Sequence, residues 1–324
     1  PDGTTAGDGE DRKIRGSRVG RGRQRAANDG ISTYGNLTTS SESPINPNVL
    51  YVGTDDGNVQ GTRDAGANWV DRHAPEGLKP WLKLGRFDRP IGWWLLFWPC
   101  VWGAWLAGAG WQLVLLAWLL LGAVAMRGAG CVYNDIVDAD LDRQVARTAA
   151  RPVASGRVSK KLAWIWLLVL CAVGLLVLLQ LRGVAQLVAL ASLAMVAAYP
   201  FMKRITWWPQ AWLGLVFSWG LLVGWTQLRA DNWDALAAFY AGAVLWVVGY
   251  DTIYALQDRE DDALVGIRSS ALRLGASVKP GVALFYAGAV ALWALGVWLL
   301  RADPLALLAL LPAAGHLTWQ VATL

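Results

Sequence analysis

The chain has 324 residues, of which 55% are hydrophobic and 16% charged, with a formal net charge of +5 and a mean hydropathy of +0.34. An ordinary soluble enzyme is excluded, because the apolar residues gather in blocks of about 20, the length that crosses a hydrocarbon core about 30 Å thick. Cys100, Cys131 and Cys171 fall in or beside those blocks with neither metal-ligand spacing nor a disulfide pattern, and they read as small membrane-core residues.

Residues 1–77 are polar and Gly-rich. Seven basic residues lie between Arg12 and Arg25, in "DRKIRGSRVGRGRQR". This run reads as a disordered, solvated segment rather than a ligand for nucleic acid or lipid headgroups. Further on, "TRDAGANW" resembles the Asp-box of β-propeller repeats, with Asp64, Gly66 and Trp69 in place. One such repeat cannot bury its own apolar face without neighbours. Residues 1–77 are therefore read as a disordered extension with a single repeat fragment, and 78–324 as the membrane domain.

Eight spans follow, at about 91–109, 112–133, 162–181, 184–201, 209–228, 235–256, 281–300 and 304–322. All are predicted to be helices, since lipid offers no partner to an unpaired backbone group and no period-2 alternation suggests a barrel. The fold class is thus an all-α polytopic membrane protein. Sixteen Lys and Arg residues flank the spans on one side and three, Arg182, Arg229 and Arg301, on the other. That asymmetry puts the N-terminus and the connections 134–161 and 258–280 in the cytoplasm, with the host membrane a bacterial inner membrane or its equivalent.

Those two connections hold most of the polar chemistry. The first opens with "YNDIVDADLD", residues 133–142. Continued as a helix through 142, it sets Asn134, Asp138 and Asp142 at i, i+4 and i+8 on one face, with Asp135 beside them and Asp140 turned to solvent. Stacked carboxylates repel, and a helix C-terminus disfavours anions, so this face costs stability unless a cation sits there. The second is "GYDTIYALQDREDD", in which Asp258 and Asp262 are four apart. Asp251 lies two turns earlier inside the span, where an ionisable side chain is a functional candidate by default. Oxygen donors without His or Cys suit Mg²⁺, which commonly also holds substrate phosphates. Arg127, inside the second span, and Arg147, Arg151, Lys203, Arg204 and Arg268 are candidate partners for an anionic substrate. The residues alone therefore point to a Mg²⁺-dependent site for a lipidic diphosphate.

"NDIVDADLD" and "DREDD" resemble the NDxxDxxxD and DxxxD motifs of the UbiA superfamily of intramembrane prenyltransferases. The flanks "RGAGCVYNDIVDADLDRQVARTAARPVASG", "YPFMKRITWWPQAWLG" and "YDTIYALQDREDDALVGIRSSALRLG" look like its 4-hydroxybenzoate polyprenyltransferase branch, from about Leu82 to the C-terminus. The resemblance implies a nine-helix bundle, of which eight helices are present here in what reads as a fragment. It implies that Asn134, Asp138, Asp142, Asp258 and Asp262 hold Mg²⁺ on a polyprenyl diphosphate, with Asp135 and Asp251 in the same motifs. The allylic C–O bond then ionises, and the aromatic acid attacks through the carbon ortho to its hydroxyl, its carboxylate held by Arg204. Such a product belongs to ubiquinone biosynthesis.

Two alternatives stand beside this reading. One is another aromatic acceptor, of homogentisate or naphthoate type. The other is a cation-coupled membrane transporter, which favours acids near the midplane at broken helices rather than at helix ends on one side. A CDP-alcohol phosphotransferase needs a Gly-Ala-Arg-containing aspartate signature, which is absent. The partners implied are the bilayer and the two substrates, with no nucleic acid and no obligate protein partner.

Overall fold

The computed structural model describes residues 37–42, 50–54, 59–62, 68–143, 148, 150–256, 259, 266 and 268–324, with the Lys203 side chain outside that set. Asp64, Gly66, Arg147, Asp258 and Asp262 also lie outside it. In the extension, β1 (Leu37–Glu42), β2 (Leu50–Thr54) and β3 (Val59–Thr62) form an antiparallel meander, with Ser40 opposite Val52 and Val52 opposite Gln60. Every other regular element among the described residues is helical.

The helices are α1 (Trp69–His73), α2 (Lys79–Leu84), α3 (Ile91–Leu106), α4 (Leu113–Val137), α5 (Ala139–Asp142), α6 (Lys160–Leu178), α7 (Gly183–Ile205), α8 (Pro209–Thr226), α9 (Trp233–Tyr254), α10 (Ser270–Leu274), α11 (Val278–Leu300) and α12 (Leu311–Thr323). A 3₁₀ turn, Pro304–Leu310, leads into α12. Each of the eight predicted spans is occupied by a helix, and six of those helices are long and apolar enough to cross a membrane.

The chain divides into two compact units, one of residues 89–134 and 165–324, the other of residues 1–88 and 135–164. In the first, α8 packs on α3, α7 and α9, and α9 packs on α11. Phe97, Val101, Leu119, Ala123, Leu181, Ala185 and Val223 form one buried cluster, and Leu221, Trp225, Leu236, Phe239 and Ala243 form much of another. Helices in lipid gain little from apolar burial, so close backbone approach matters more. A Cβ on Gly224 would lie 2.0 Å from the Cys100 carbonyl oxygen, and one on Gly103 2.1 Å from that of Leu221. Backbone cannot yield as a side-chain tip does. Gly224→Ala is therefore expected to destabilise the α3–α8 pair by about 1–3 kcal/mol. It should lower the unfolding midpoint in detergent, while Gly315→Ala, with nothing within 4 Å, should not.

In the second unit, Asn68 caps α1 by accepting from the Val70 and Asp71 amides, and Asp71 completes a capping box. Burial pushes the Asp71 carboxyl up, but the hydrogen bond and charge of Lys83 outweigh it and hold the group below its usual range. Trp69, read from sequence as part of an Asp-box, is instead the first residue of α1, and its indole donates to the Phe87 carbonyl at 3.1 Å. The propeller-repeat reading of that tryptophan is corrected accordingly: it serves the turn leading to the first span.

Candidate active site

Helix α4 does not run unbroken through residue 142, as the spacing predicts. It ends at Val137; Asp138 leaves helical geometry at φ −92°, ψ 2°, and α5 resumes at Ala139. A short polar side chain competes for local backbone hydrogen bonds, which makes aspartate a natural residue at such a break. The Asp142 amide still donates to the Asp138 carbonyl at 2.8 Å, so the turn is kept. Asp135, Asp138 and Asp142 are 2%, 0% and 5% exposed.

Three carboxylates this dry need cations beside them. Arg151 supplies one, its Nη1 lying 2.8 Å from Asp142 Oδ2 and 3.3 Å from Asp135 Oδ1. Arg86 supplies another, donating through Nη2 to both oxygens of Asp135 at 3.2 and 3.4 Å. Asp135 is in turn repelled by Asp142 and Asp138. The Thr148 hydroxyl donates to the Asp142 carbonyl at 3.0 Å. Asp140 is exposed and pairs with Arg143 and Lys160 at 3.0 and 3.3 Å.

Sequence reasoning missed Arg86. Its backbone sits at φ +57°, a left-handed conformation uncommon for a residue with a side chain. Nothing in the local pattern announces that conformation or its partner 49 residues away.

The remaining described candidates belong to the membrane unit, apart from Arg151 and the three aspartates. Asn134 is half-buried, one turn before the break in α4. Arg127 lies inside α4, its Nη1 2.7 Å from Cys131 Sγ and its guanidinium carbon 5.7 Å from the centre of the Phe217 ring. Its Nε is buried with no hydrogen-bond partner. Gly92 makes room for it, since a Cβ there would stand 2.4 Å from that Nε. Asp251 is half-buried in the last turn of α9. Its neighbour Tyr250 interacts electrostatically with both Asp251 and Arg127. Arg204 is exposed at the end of α7. Arg268 donates to the Ile205 carbonyl at 2.6 Å and lies over the Trp207 ring at 5.5 Å.

Among the described residues, no three Asp, Glu, His or Cys side chains are arranged to hold a metal ion. The donor chemistry of the first cluster nevertheless fits a hard divalent cation: buried carboxylate oxygens, with no imidazole among them. Two of those carboxylates are gripped by guanidinium groups, which an incoming cation must join or displace.

The model of the UbiA prenyltransferase family matches residues 96–324. The chain belongs to the UbiA prenyltransferase family. With its apolar helices, that makes it a multi-pass integral membrane protein. A 4-hydroxybenzoate polyprenyltransferase, mitochondrial, from Caenorhabditis elegans is 45% identical over 255 residues, 77% of this chain and 71% of that protein. The Arabidopsis thaliana protein of the same description is 40% identical over 261 residues, 79% of this chain and 64% of its own length. A UbiA homolog from Archaeoglobus fulgidus, solved bound to GPP and Mg²⁺, superposes with a TM-score of 0.61 over 75% of this chain and 86% of that one, at 18% identity. That likeness concerns the fold.

Proposed function

We propose that the protein transfers a polyprenyl group from a polyprenyl diphosphate to the ring carbon ortho to the hydroxyl of 4-hydroxybenzoate, a step of ubiquinone biosynthesis. The observation that carries the proposal is the buried Asp135–Asp138–Asp142 cluster, balanced by Arg86 and Arg151, in a chain of this family. The nematode and plant relatives support the acceptor, and the archaeal neighbour supports a prenyl diphosphate with Mg²⁺. The site is placed on the Lys- and Arg-rich face of the membrane, the cytoplasmic face in a bacterium.

Asn134, Asp138, Asp142, Asp258 and Asp262 are the ligands proposed for Mg²⁺, which when bound supplies positive charge to the departing diphosphate. Arg151, Arg147 and Lys203 hold phosphate oxygens and stabilise the same developing charge. The allylic C–O bond breaks with its electron pair on the leaving diphosphate. The ring carbon ortho to the hydroxyl then attacks the allylic cation, and the ring proton is lost. Asp251 is assigned that proton, because it and Arg127 both lie about Tyr250. The apolar spans keep water from the cation.

The acceptor's carboxylate is assigned to Arg127 rather than to Arg204. Arg204 is exposed to solvent, whereas Arg127 is a cation inside a span with a buried N–H lacking an acceptor. Arg127→Leu is expected to raise KM for 4-hydroxybenzoate about 30- to 100-fold, the scale of a charged hydrogen bond, with KM for the prenyl diphosphate unchanged. Arg204→Gln should leave the acceptor KM within about twofold. The function is tested with membranes containing the protein, Mg²⁺, radiolabelled 4-hydroxybenzoate and polyprenyl diphosphates of several lengths. Mg²⁺-dependent labelled prenyl product supports it. Labelling of only a homogentisate- or naphthoate-type acceptor overturns the substrate, and cation uptake without bond formation overturns the reaction.

A further inference from the structure

The two ends of the second acidic connection are tied by a buried chain of hydrogen bonds. Thr252, in the last turn of α9, and Ser270, first residue of α10, have hydroxyls 2.7 Å apart. The Thr252 hydroxyl donates to the Val248 carbonyl at 2.6 Å, so Ser270 must donate in the hydroxyl pair. The Ser270 amide donates to Gln210 Oε1 at 3.0 Å, from the first turn of α8. Thr252 and Ser270 are fully buried, Gln210 is 6% exposed, and Ser269, which caps α10, is 1% exposed. Arg268 adds an outer strut, bonded to the Ile205 carbonyl and lying over Trp207 in the turn between α7 and α8.

Three segments distant in sequence thus meet at one dry point: the end of α9, the start of α10 and the start of α8. Apolar residues of the same shape fill such a place at nearly the same stability. What hydroxyls and an amide add is direction, because each bond fixes where its partner stands. The ends they fix are those of the chain segment carrying Asp258 and Asp262.

We propose that Gln210, Thr252, Ser270 and Arg268 form a positioning clamp that holds both ends of residues 253–269 at a set separation, and so sets the affinity for Mg²⁺ and the prenyl diphosphate. The proposal rests on the prenyl-diphosphate reading above. It makes Arg268 a strut and not a phosphate ligand.

The test uses the full chain in detergent and in membranes, with Thr252→Val, Ser270→Ala, the double variant and Thr252→Ser. Arg259 is exposed and offers a trypsin site within the connection. The first readout is the Mg²⁺ concentration that half-protects that bond in the presence of geranyl diphosphate. The others are the two substrate KM values and the thermal midpoint. Thr252→Val is expected to raise the protecting Mg²⁺ concentration and the prenyl diphosphate KM about tenfold, the net worth of one hydrogen bond, with acceptor KM unchanged. Thr252→Ser, which keeps the hydroxyl, should match the parent. The double variant strands no buried hydroxyl, so it should recover the thermal midpoint yet keep the raised Mg²⁺ requirement. Full recovery of Mg²⁺ affinity in the double variant overturns the clamp and leaves the function standing. If the unmodified chain shows neither Mg²⁺-dependent protection nor prenyl transfer, both fall.

Discussion

Asp138→Ala is expected to abolish prenyl transfer, by about 10³-fold or more if Asp138 is a metal ligand and the metal carries the leaving-group charge. The protein should still insert and fold. Asp138 is fully buried beside two other buried carboxylates, and Asp135 is repelled by it. Removing one of three like charges relieves that repulsion, so the thermal midpoint should stay level or rise. Asp138→Asn separates charge from shape: it keeps the volume and one oxygen, and should remain at least about 10²-fold impaired. Asp140→Ala is the control, because its carboxylate is 73% exposed and pairs only with surface cations on the printed geometry of Arg143 and Lys160. It should change activity less than about twofold. Measured prenyl transfer in washed membranes, normalised to inserted protein, decides the matter, and retained activity in Asp138→Ala sinks the metal-site assignment.

The spans were legible because hydrocarbon thickness imposes one length on every crossing helix. Their ends were less so: α4 extends to Val137, beyond the expected 133, and α11 begins at Val278, ahead of 281. Lipophilicity marks where a helix must be apolar, and polar turns can continue past that limit. The carboxylates of the first motif were legible from helical spacing, since Asp138 and Asp142 remain one turn apart even across the break. The break itself was not, because an i, i+4 pattern tolerates a single non-helical residue.

What the sequence hid were the partners. Arg86 reaches Asp135 only because a non-glycine residue takes φ +57°. Gln210, Thr252 and Ser270 are 18 to 60 residues apart and read singly as ordinary helix-end polar residues. Arg268 looked like a phosphate ligand by charge alone, yet its guanidinium is engaged by a carbonyl and an indole. Long-range hydrogen bonding leaves no periodic trace, so these roles emerge only when the helices are placed.

The opposite kind of change, at Arg151, is expected to show what the balance of charge in the first cluster is for. Arg151→Ala leaves Asp142 without its 2.8 Å partner and takes one of two guanidinium groups from Asp135. Breaking a buried ion pair by removing one member costs about 3–5 kcal/mol in a dry site. Arg151 keeps 26% of its side chain exposed, so the loss here should be nearer 2 kcal/mol, still a visible drop in thermal midpoint without Mg²⁺. Mg²⁺ should restore much of that drop, since it replaces the missing positive charge between the same carboxylates. The Mg²⁺ concentration for half-stabilisation should fall relative to the parent, because no guanidinium competes for Asp142. Turnover should nonetheless drop about 10²-fold, since the departing diphosphate loses a fixed cation. Arg151→Lys keeps the charge but not the fork that spans Asp135 and Asp142, and should recover stability more than turnover. A thermal midpoint in Arg151→Ala that falls equally with and without Mg²⁺ would mean that Arg151 only packs the turn. The guanidinium groups would then not be place-holders for the cation, and the buried aspartates would need another explanation than a metal–diphosphate site.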